Sequence, residues 1–136
     1  HPDGLDSARP GARVGSMMMP TVVRTADGTT VGLGSGGSER IPSAMARVLT
    51  AVLDLGLPLN EAVQAPRLHW DRSLLQVEPG LPADVRRALA GAWPVHEWER
   101  PELYFGGVHA VLRRPDGTVE AVGDARRGGA SAVVRL

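Results

Sequence analysis

The chain has 136 residues, of which 43% are hydrophobic, and this length and composition fit one ordinary domain with a core. Fifteen acidic residues balance fifteen basic ones, so no overall field favours binding to nucleic acid or to an anionic membrane surface. Cysteine is absent, which excludes disulfides and thiolate metal sites, and no apolar run approaches the roughly 20 residues of a membrane-spanning helix.

Residues 1–15 carry no periodic apolar pattern and are rich in Pro, Gly, Asp and Arg. Such a segment lacks the spaced apolar side chains that a helix or strand would bury. We predict that it is a loop, or the cut end of a longer chain.

The first predicted elements are a hairpin and a helix. Residues 21–24 and 30–33 have strand-type sequences and flank Asp27-Gly28, a dipeptide typical of tight turns. From residue 41 onward apolar side chains recur at helical spacing, and Gly56 can end the helix. The apolar stripe consists of Ile41, Met45, Val48, Leu49, Val52 and Leu53. Because it covers one face, the helix is predicted to pack on the sheet.

Three short elements are predicted next. A second helix should begin at Asn60, a good N-cap, and end before Pro66. Residues 74–78 resemble a strand, and residues 82–91 resemble a helix. The side chains expected to face inward from that helix are Val85, Leu89 and Ala92.

A second hairpin is predicted near the C-terminus. Residues 107–112 and 118–122 have strand-type sequences and flank the turn sequence at residues 115–117, which is Pro-Asp-Gly. Hairpins alternate with helices along the chain, which favours an α+β layered domain over a regular βαβ array.

The glycine-rich segment between the first hairpin and the first helix is the main candidate site. Residues 32–37 satisfy G-x-G-x-x-G, and such a loop can aim backbone N–H groups at an anion. A dinucleotide site is not favoured, because the preceding strand is the second arm of a hairpin and no strand ending in Asp or Glu follows at about 20 residues. A P-loop is excluded, because no Gly-Lys-Ser/Thr follows. The alternative is a turn that merely lets strand and helix meet.

His69, His96 and His109 form no close ligand pair, so neither a zinc site nor any other metal or cofactor site is predicted. A structural role is favoured for each of them over a catalytic one.

Several short motifs occur in one order along nearly the whole chain. They are Ser16-Met17-Met18-Met19-Pro20, the loop at residues 34–41, Asn60-Glu61-Ala62-Val63, Ala65-Pro66-Arg67-Leu68-His69, Val77-Glu78-Pro79-Gly80 and Gly123-Asp124-Ala125-Arg126-Arg127. In this order they resemble the C-terminal part of the small subunit of a gamma-glutamyltransferase (gamma-glutamyltranspeptidase). The resemblance implies an α+β fragment of the four-layer αββα fold of the N-terminal nucleophile hydrolases, with an antiparallel sheet and packed helices.

In that family, two consecutive backbone N–H groups of the glycine loop form an oxyanion hole. The resemblance assigns this role to Gly37 and Ser38, where serine stands at the position of the family's usual second glycine. A shift of one residue, to Gly36 and Gly37, is the alternative assignment.

The family's segment before the hairpin carries two adjacent serines that help bind the substrate carboxylate. Ser16 matches the first, and Met17 stands at the second. Since a thioether is a weak acceptor with no donor, a related amide acylase is an alternative to a gamma-glutamyl enzyme. The simpler interpretation of residues 17–19, all methionine, is core packing of at least two of them.

The C-terminal motif resembles the family's Asp-Pro-Arg-Arg, with Ala125 at the proline position. Surface ion pairing is expected for Asp124, Arg126 and Arg127, and support of the pocket is the alternative.

The family's nucleophile is a threonine exposed by autoproteolysis, whose own amino group is the general base. This chain begins with His1, and the family's threonine lies upstream of the segment that Ser16 matches. Residues 16–136 are therefore interpreted as a C-terminal part of the small subunit, inactive alone. Its expected partners are the large subunit, the start of the small subunit and a small gamma-glutamyl or acyl amide. Self-association is also expected, and the resemblance allows a secreted, periplasmic or cytoplasmic location. A non-catalytic binding or assembly module is the competing hypothesis.

Overall fold

A computed structural model of the chain describes residues 10–13 and 16–135, so most of the predicted N-terminal loop, residues 1–9 and 14–15, lies outside the described residues. The helices are α1 Ile41–Leu53, α2 Leu59–Gln64 and α3 Ala83–Ala92. The strands are β1 Thr21–Arg24, β2 Thr30–Gly36, β3 Leu68–Trp70, β4 Leu75–Val77, β5 Val95–Glu97, β6 Gly107–Arg113, β7 Thr118–Val122 and β8 Ser131–Arg135.

A five-stranded sheet in the order β1-β2-β6-β7-β8 forms the framework, and all its neighbouring strands are antiparallel. Both predicted hairpins, β1–β2 and β6–β7, are confirmed. The β2–β6 pairing joins them, with a register that runs from Thr30 opposite Arg113 to Gly36 opposite Gly107. Because β2 is antiparallel to both neighbours, the sheet lacks the βαβ geometry that a dinucleotide fingerprint requires, in agreement with the sequence analysis.

The core lies between this sheet and the helices α1 and α2. Alternate residues of β2 and β6 point to the helices, since strand side chains alternate between faces. The buried residues of this cluster are Val31, Leu33, Ile41, Ala44, Met45, Val48, Ala51, Leu59, Ala62, Val63, Val108, Ala110, Leu112 and Val122. The predicted helix at residues 41–53 is confirmed, with Pro42 in its first turn and Gly56 just beyond its end. None of the helices in the described ranges is both long enough and apolar enough to cross a bilayer.

The opposite face of the large sheet is uncovered by the described elements along most of its length, and only at one end does the Arg127 side chain lie over Gly36 and Gly107. Gly32 and Gly34 have open space on this side, and Val111 on β6 is 47% exposed. Val22 on β1 is 76% exposed. The described residues therefore form one sheet with one helical layer and leave the second face open.

Helix α2 differs from the sequence prediction at its first turn. Pro58 is the N-cap, and its carbonyl accepts the first helical hydrogen bond from the N–H of Ala62 at 3.0 Å. Asn60 therefore lies inside the helix, and its prediction as N-cap is wrong. The extended backbone of Pro58 already sets the direction of entry, so no side-chain cap is needed for the helix to begin there. The end at Gln64, before Pro66, is confirmed.

Helix α3 connects β4 to the parallel strand β5 in a separate three-stranded sheet. Its predicted inward face is wrong: Val85 is 39% exposed, Ala92 is exposed and Leu89 is only partly buried. The strands of this small sheet have three residues each and offer too little surface to cover an apolar stripe.

Four buried charged side chains connect the segments around one end of the large sheet. Arg67 pairs with Asp124, and Arg126 pairs with Glu78 and also with Asp124, where Arg126 Nη1 lies 3.2 Å from Asp124 Oδ1. The exposed fraction is 0% for both carboxylates, 2% for Arg67 and 4% for Arg126. Two positive charges balance two negative ones, which is the condition under which ionised groups can be buried.

Backbone groups complete this buried charge network. Arg67 Nη1 donates to the carbonyl of Phe105 at 3.2 Å, and Arg67 Nη2 donates to the carbonyl of Val63 at 3.1 Å. The Asp124 carboxylate accepts a hydrogen bond from the N–H of Val108 at 2.8 Å. The network therefore links the end of α2, the turn before β6 and the segment that follows β7.

The C-terminal motif therefore differs from the prediction. Surface ion pairing is wrong for Asp124 and Arg126, because their partners Arg67 and Glu78 come from distant sequence positions and enclose them. Arg127 is exposed, and its side chain makes no ion pair with any residue in the ranges 10–13 and 16–135.

Acid should weaken the fold through this network. Burial raises the pKa of Asp124, but Arg67 and the hydrogen bonds from Arg126 and Val108 outweigh burial and hold the pKa below its ordinary value of 3.8. A carboxyl group whose pKa is lower in the folded chain adds stability above its unfolded pKa and loses that contribution as the pH falls through the folded pKa. The free energy of unfolding should therefore decrease as the pH is lowered from about 5 toward 2.

Asp124→Asn should lower the free energy of unfolding at pH 7 by about 3–5 kcal/mol, because Arg67 is then buried without its counter-charge. The variant should also lose less stability on acidification than the native chain, since the titrating group is gone. Urea unfolding at pH 7 and at about pH 2 measures these effects. Asp54→Asn is the control, because Asp54 is exposed. Equal stability of Asp124→Asn and the native chain at pH 7 would contradict the structural role of the network.

Candidate functional site

The glycine loop leaves the end of β2 in a strained conformation and enters α1 through a 3-10 turn at Ser38–Arg40. Gly37 has a φ of 135°, which only glycine adopts readily, and Ser38 has a left-handed φ of 53°. A Cβ on Gly37 would lie 2.7 Å from the Cα of Gly106. Both backbone conformation and close approach therefore require glycine at position 37.

Two consecutive N–H groups are available in this loop. Within residues 10–13 and 16–135, the N–H groups of Gly37 and Ser38 donate no hydrogen bond, whereas the Gly37 carbonyl accepts one from Arg40 at 3.1 Å. Gly36, named in the alternative assignment, is the last residue of β2 and lies opposite Gly107. Unpaired adjacent donors on a turn of this kind can bind an anion.

The loop rests against the turn that precedes β6. Arg40 Nε donates to the carbonyl of Tyr104 at 3.0 Å, and the Arg40 guanidinium carbon lies 4.7 Å from the centre of the Tyr104 ring. Ser35 Oγ accepts a hydrogen bond from the N–H of Gly107 at 3.3 Å and donates to the carbonyl of Gly36 at 2.9 Å. These contacts hold both ends of the loop, so its N–H groups have a fixed direction.

The segment before the first hairpin reaches the same loop. Ser38 Oγ lies 3.9 Å from Met17 Sδ, and Ser16 Oγ accepts a hydrogen bond from the N–H of Met18 at 3.2 Å. The structure thus brings Met17 beside Ser38, while the Ser16 oxygen accepts a hydrogen bond from its own segment.

The prediction that at least two of the three methionines pack in the core is wrong. Met17 is 44% exposed, Met18 81% and Met19 39%. The segment lies outside any strand or helix, and no apolar layer of the described residues covers it. These side chains are available to line a site.

A structural role for His69 agrees with its environment. The residue is buried, its Nδ1 lies 2.9 Å from Ser43 Oγ, and its ring packs edge-on against Tyr104. Burial, together with the positive charge of Arg40, lowers the pKa of His69. His96 and His109 are exposed, and the described part of the chain holds no group of three His, Cys, Asp or Glu side chains that could bind a metal.

An aromatic cluster beside the loop was missed by the sequence analysis. Trp98 and Tyr104 stack with ring centres 4.9 Å apart, and Phe105 packs edge-on against both rings. Trp98 Nε1 donates to Gln76 Oε1 at 2.8 Å. The sequence does contain a signal for this cluster, because three of the chain's five Phe, Tyr and Trp residues lie within residues 98–105.

Two curated proteins are similar to nearly the whole of this chain. The capsule biosynthesis protein CapD proenzyme of Bacillus anthracis is 29% identical over 128 residues, which are 93% of this chain and 24% of that protein. The acylase ACY 1 proenzyme of Pseudomonas sp. (strain V22) is 33% identical over 120 residues, 88% of this chain and 21% of that protein. The chain thus spans between a fifth and a quarter of the length of these relatives.

The fold is shared with solved structures as well. The crystal structure of the Bacillus anthracis transpeptidase enzyme CapD matches with a TM-score of 0.76 and 30% identity, over 89% of this chain and 73% of that one. This likeness confirms the expected α+β fold with an antiparallel sheet and packed helices. The family model described as gamma-glutamyltranspeptidase matches residues 1–134. With the sequence match and the shared fold together, the chain belongs to the gamma-glutamyltranspeptidase family.

Proposed function

We propose that residues 16–136 are the C-terminal part of the small subunit of a gamma-glutamyltransferase-like enzyme. That enzyme transfers or hydrolyses a gamma-glutamyl or related acyl group through a threonine acyl-enzyme, with the threonine outside this chain. The family and the named activities of relatives, a transpeptidase and an acylase, support this class of reaction. The large subunit and the start of the small subunit are the proposed partners.

The loop at Gly37 and Ser38 is the observation that carries this proposal. When a hydroxyl adds to an amide carbonyl carbon, it loses its proton to a base and the carbonyl oxygen becomes negative. Collapse of the tetrahedral species then breaks the C–N bond, and the departing nitrogen takes that proton and leaves as the amine. Two fixed N–H donors stabilise that oxygen without having to reorganise during the reaction. The tight contact of Gly37 with Gly106 supplies the rigidity.

The role of Ser38 is tested by comparing proline with glycine at this position in the full-length enzyme. Ser38→Pro removes the N–H and should lower the acylation rate by about a hundredfold to a thousandfold, whereas Ser38→Gly keeps the donor and should retain most activity. Single-turnover kinetics with a gamma-glutamyl anilide measures the rate. Proline is confined to a φ near −65° and cannot keep the φ of 53° at position 38, so a lower rate reports loss of the N–H together with a changed loop conformation. The decisive outcome is therefore retained activity, and circular dichroism and melting temperature must show that the rest of the fold is intact. Near-normal acylation by a folded Ser38→Pro enzyme would favour the assignment to Gly36 and Gly37.

A related amide acylase is the second candidate, and the position of Met17 favours it. The Met17 thioether lies beside Ser38, where it presents an apolar group instead of a hydroxyl. Its exposure leaves it free to contact substrate. The similarity to an acylase proenzyme also supports this candidate.

Met17→Ser distinguishes the two candidates in the full-length enzyme. The change should improve kcat/KM for gamma-glutamyl substrates relative to uncharged acyl amides by about 0.5–1.5 kcal/mol, the net value of one hydrogen bond. Competition between the two substrates gives the ratio directly, and Met18→Ser is the matched control because Met18 is the most exposed of the three. An unchanged ratio would show that Met17 does not face the acyl group.

We also propose that the isolated chain self-associates through the open face of the large sheet. Exposed Val22 and Val111 on that face, and the edge strand β8 with every residue exposed, leave apolar surface and unpaired backbone available. Light scattering should therefore give a mass above 14.4 kDa that rises with protein concentration. A monomer at high concentration that binds no hydrophobic dye would argue for a complete, independent domain.

A further inference from the structure

The register of the first hairpin brings Met17 to the level of the glycine loop. Thr21 pairs with Leu33, and the two strands are antiparallel. Each step back along the chain from Thr21 therefore corresponds to one step forward from Leu33, which places Met17 level with Gly37. The distance of 3.9 Å between Ser38 Oγ and Met17 Sδ agrees with this placement.

The thioether of Met17 is a reactive group that the proposed acyl transfer does not use. Met17 is 44% exposed, so a small dissolved oxidant reaches its sulfur, whereas Met45 lies in the core with an exposed fraction of 0%. Ser38 Oγ donates to the Met17 sulfur, but a thioether is only a weak acceptor. A hydroxyl donor therefore faces a sulfur that oxidation converts into a polar group.

Hydrogen peroxide converts such a sulfur into a sulfoxide. A sulfur lone pair attacks one peroxide oxygen, the O–O bond breaks, and the departing hydroxide takes the proton of the transferred oxygen and leaves as water. The sulfur loses two electrons and the peroxide gains them. The new oxygen lies one bond from the sulfur, and rotation of the flexible Met17 side chain can aim it at Ser38 Oγ. An O–H···O hydrogen bond of about 2.7 Å then replaces the weak contact.

We propose that Met17 is an oxidation site and that its sulfoxide oxygen binds the Ser38 side chain at the edge of the glycine loop. The N–H groups of Gly37 and Ser38, which donate no hydrogen bond within residues 10–13 and 16–135, lie beside this oxygen. Because a sulfoxide oxygen carries partial negative charge, it competes with an oxyanion for these donors. The binding needs no catalysis, and only its effect on a reaction rate rests on the proposed function. Reduction of the sulfoxide by methionine sulfoxide reductases reverses the change.

The four methionines of the chain supply the controls for a chemical test. The double variant Met18→Leu, Met19→Leu retains only Met17 and the buried Met45. After treatment with dilute hydrogen peroxide and removal of the peroxide by catalase, peptide mass mapping should find one added oxygen on Met17 and none on Met45. An unmodified Met17, under conditions that oxidise Met18 in the native chain, would overturn the proposal.

The amide signals of the loop report where the sulfoxide oxygen binds. In nitrogen–proton NMR spectra of the double variant, oxidation should shift the Gly37 and Ser38 amide signals, and methionine sulfoxide reductases with dithiothreitol should return them. Met17→Leu is the matched control, since peroxide then oxidises only residues 18 and 19 and should leave the loop signals in place. Loop signals that do not respond to oxidation of Met17, or that move equally in Met17→Leu, would overturn the proposal.

Ser38→Ala in the double variant tests the hydroxyl as the partner of the sulfoxide. The change removes the side-chain donor and keeps the N–H. Oxidation of Met17 should then shift the Gly37 amide signal less than half as far as it does with Ser38 present. A shift of equal size would show that the Ser38 hydroxyl does not bind the sulfoxide.

The full-length enzyme separates this inference from the proposed function. Peroxide treatment followed by catalase should lower the acylation rate with a gamma-glutamyl anilide about fivefold, which corresponds to one competing hydrogen bond of about 1 kcal/mol. The rates of Met17→Leu before and after peroxide should agree within twofold. If the full-length protein turns over no acyl substrate but the chain shows the loop shifts, the proposed function fails and the oxidation site stands. If Met17 is oxidised in an active enzyme and the rate does not change, the competition for the loop donors fails and the proposed function stands.

Discussion

The paired burial of Arg67 with Asp124 and of Arg126 with Glu78 is the constraint on which the loop geometry depends. Asp124 follows β7 and accepts the N–H of Val108 near the start of β6, while Arg67 reaches the carbonyl two residues before that strand. Removing one partner from such a set leaves an uncompensated charge in a low-dielectric interior, at a cost of several kcal/mol. The four side chains therefore permit essentially one arrangement of the connected segments. Because the start of β6 is fixed in this way, so is the surface on which the glycine loop rests.

Close approach between backbones transmits this constraint to the loop. Gly106 has a φ of 77°, and a Cβ on it would lie 2.6 Å from the carbonyl oxygen of Gly36. Gly37 lies against the same residue, since a Cβ on Gly37 would be only 2.7 Å from the Cα of Gly106. These glycines allow two chain segments to approach closely. The hydrogen bond from Arg40 to the Tyr104 carbonyl holds the two segments together. A loop of this kind is rigid in spite of its composition, which is what a preorganised anion site requires.

Local patterns made the two hairpins of the large sheet and the main helix predictable, although β8 was not predicted, and long-range contacts explain the other differences. The two hairpins and α1 follow from turn dipeptides and from periodic apolar residues, which act over a few positions. Arg67 and Asp124 are 57 positions apart, so no local signal shows that they meet or that the motif at residues 124–127 is half buried. The methionines before β1 are apolar, but burial depends on a covering layer that the described residues do not provide. The loop was recognised from its glycines, while its aromatic support at residues 98–105 depends on tertiary packing.

The dihedral angles of this loop explain why its sequence can differ from the family's usual one at position 38 and not at position 37. Ser38 has a φ of 53°, inside the left-handed region that a non-glycine residue can occupy at a modest cost. Gly37 has a φ of 135°, which a residue with a Cβ cannot reach without severe strain, and its Cβ would also strike Gly106. Serine is therefore tolerated at one of the two proposed donor positions and excluded at the other. Because the proposed oxyanion contact is made by backbone N–H groups, substitution at position 38 changes the side chain that faces Met17 and leaves the N–H in place. Sequence variation at this position would thus alter the surroundings of the proposed site without altering its proposed chemistry.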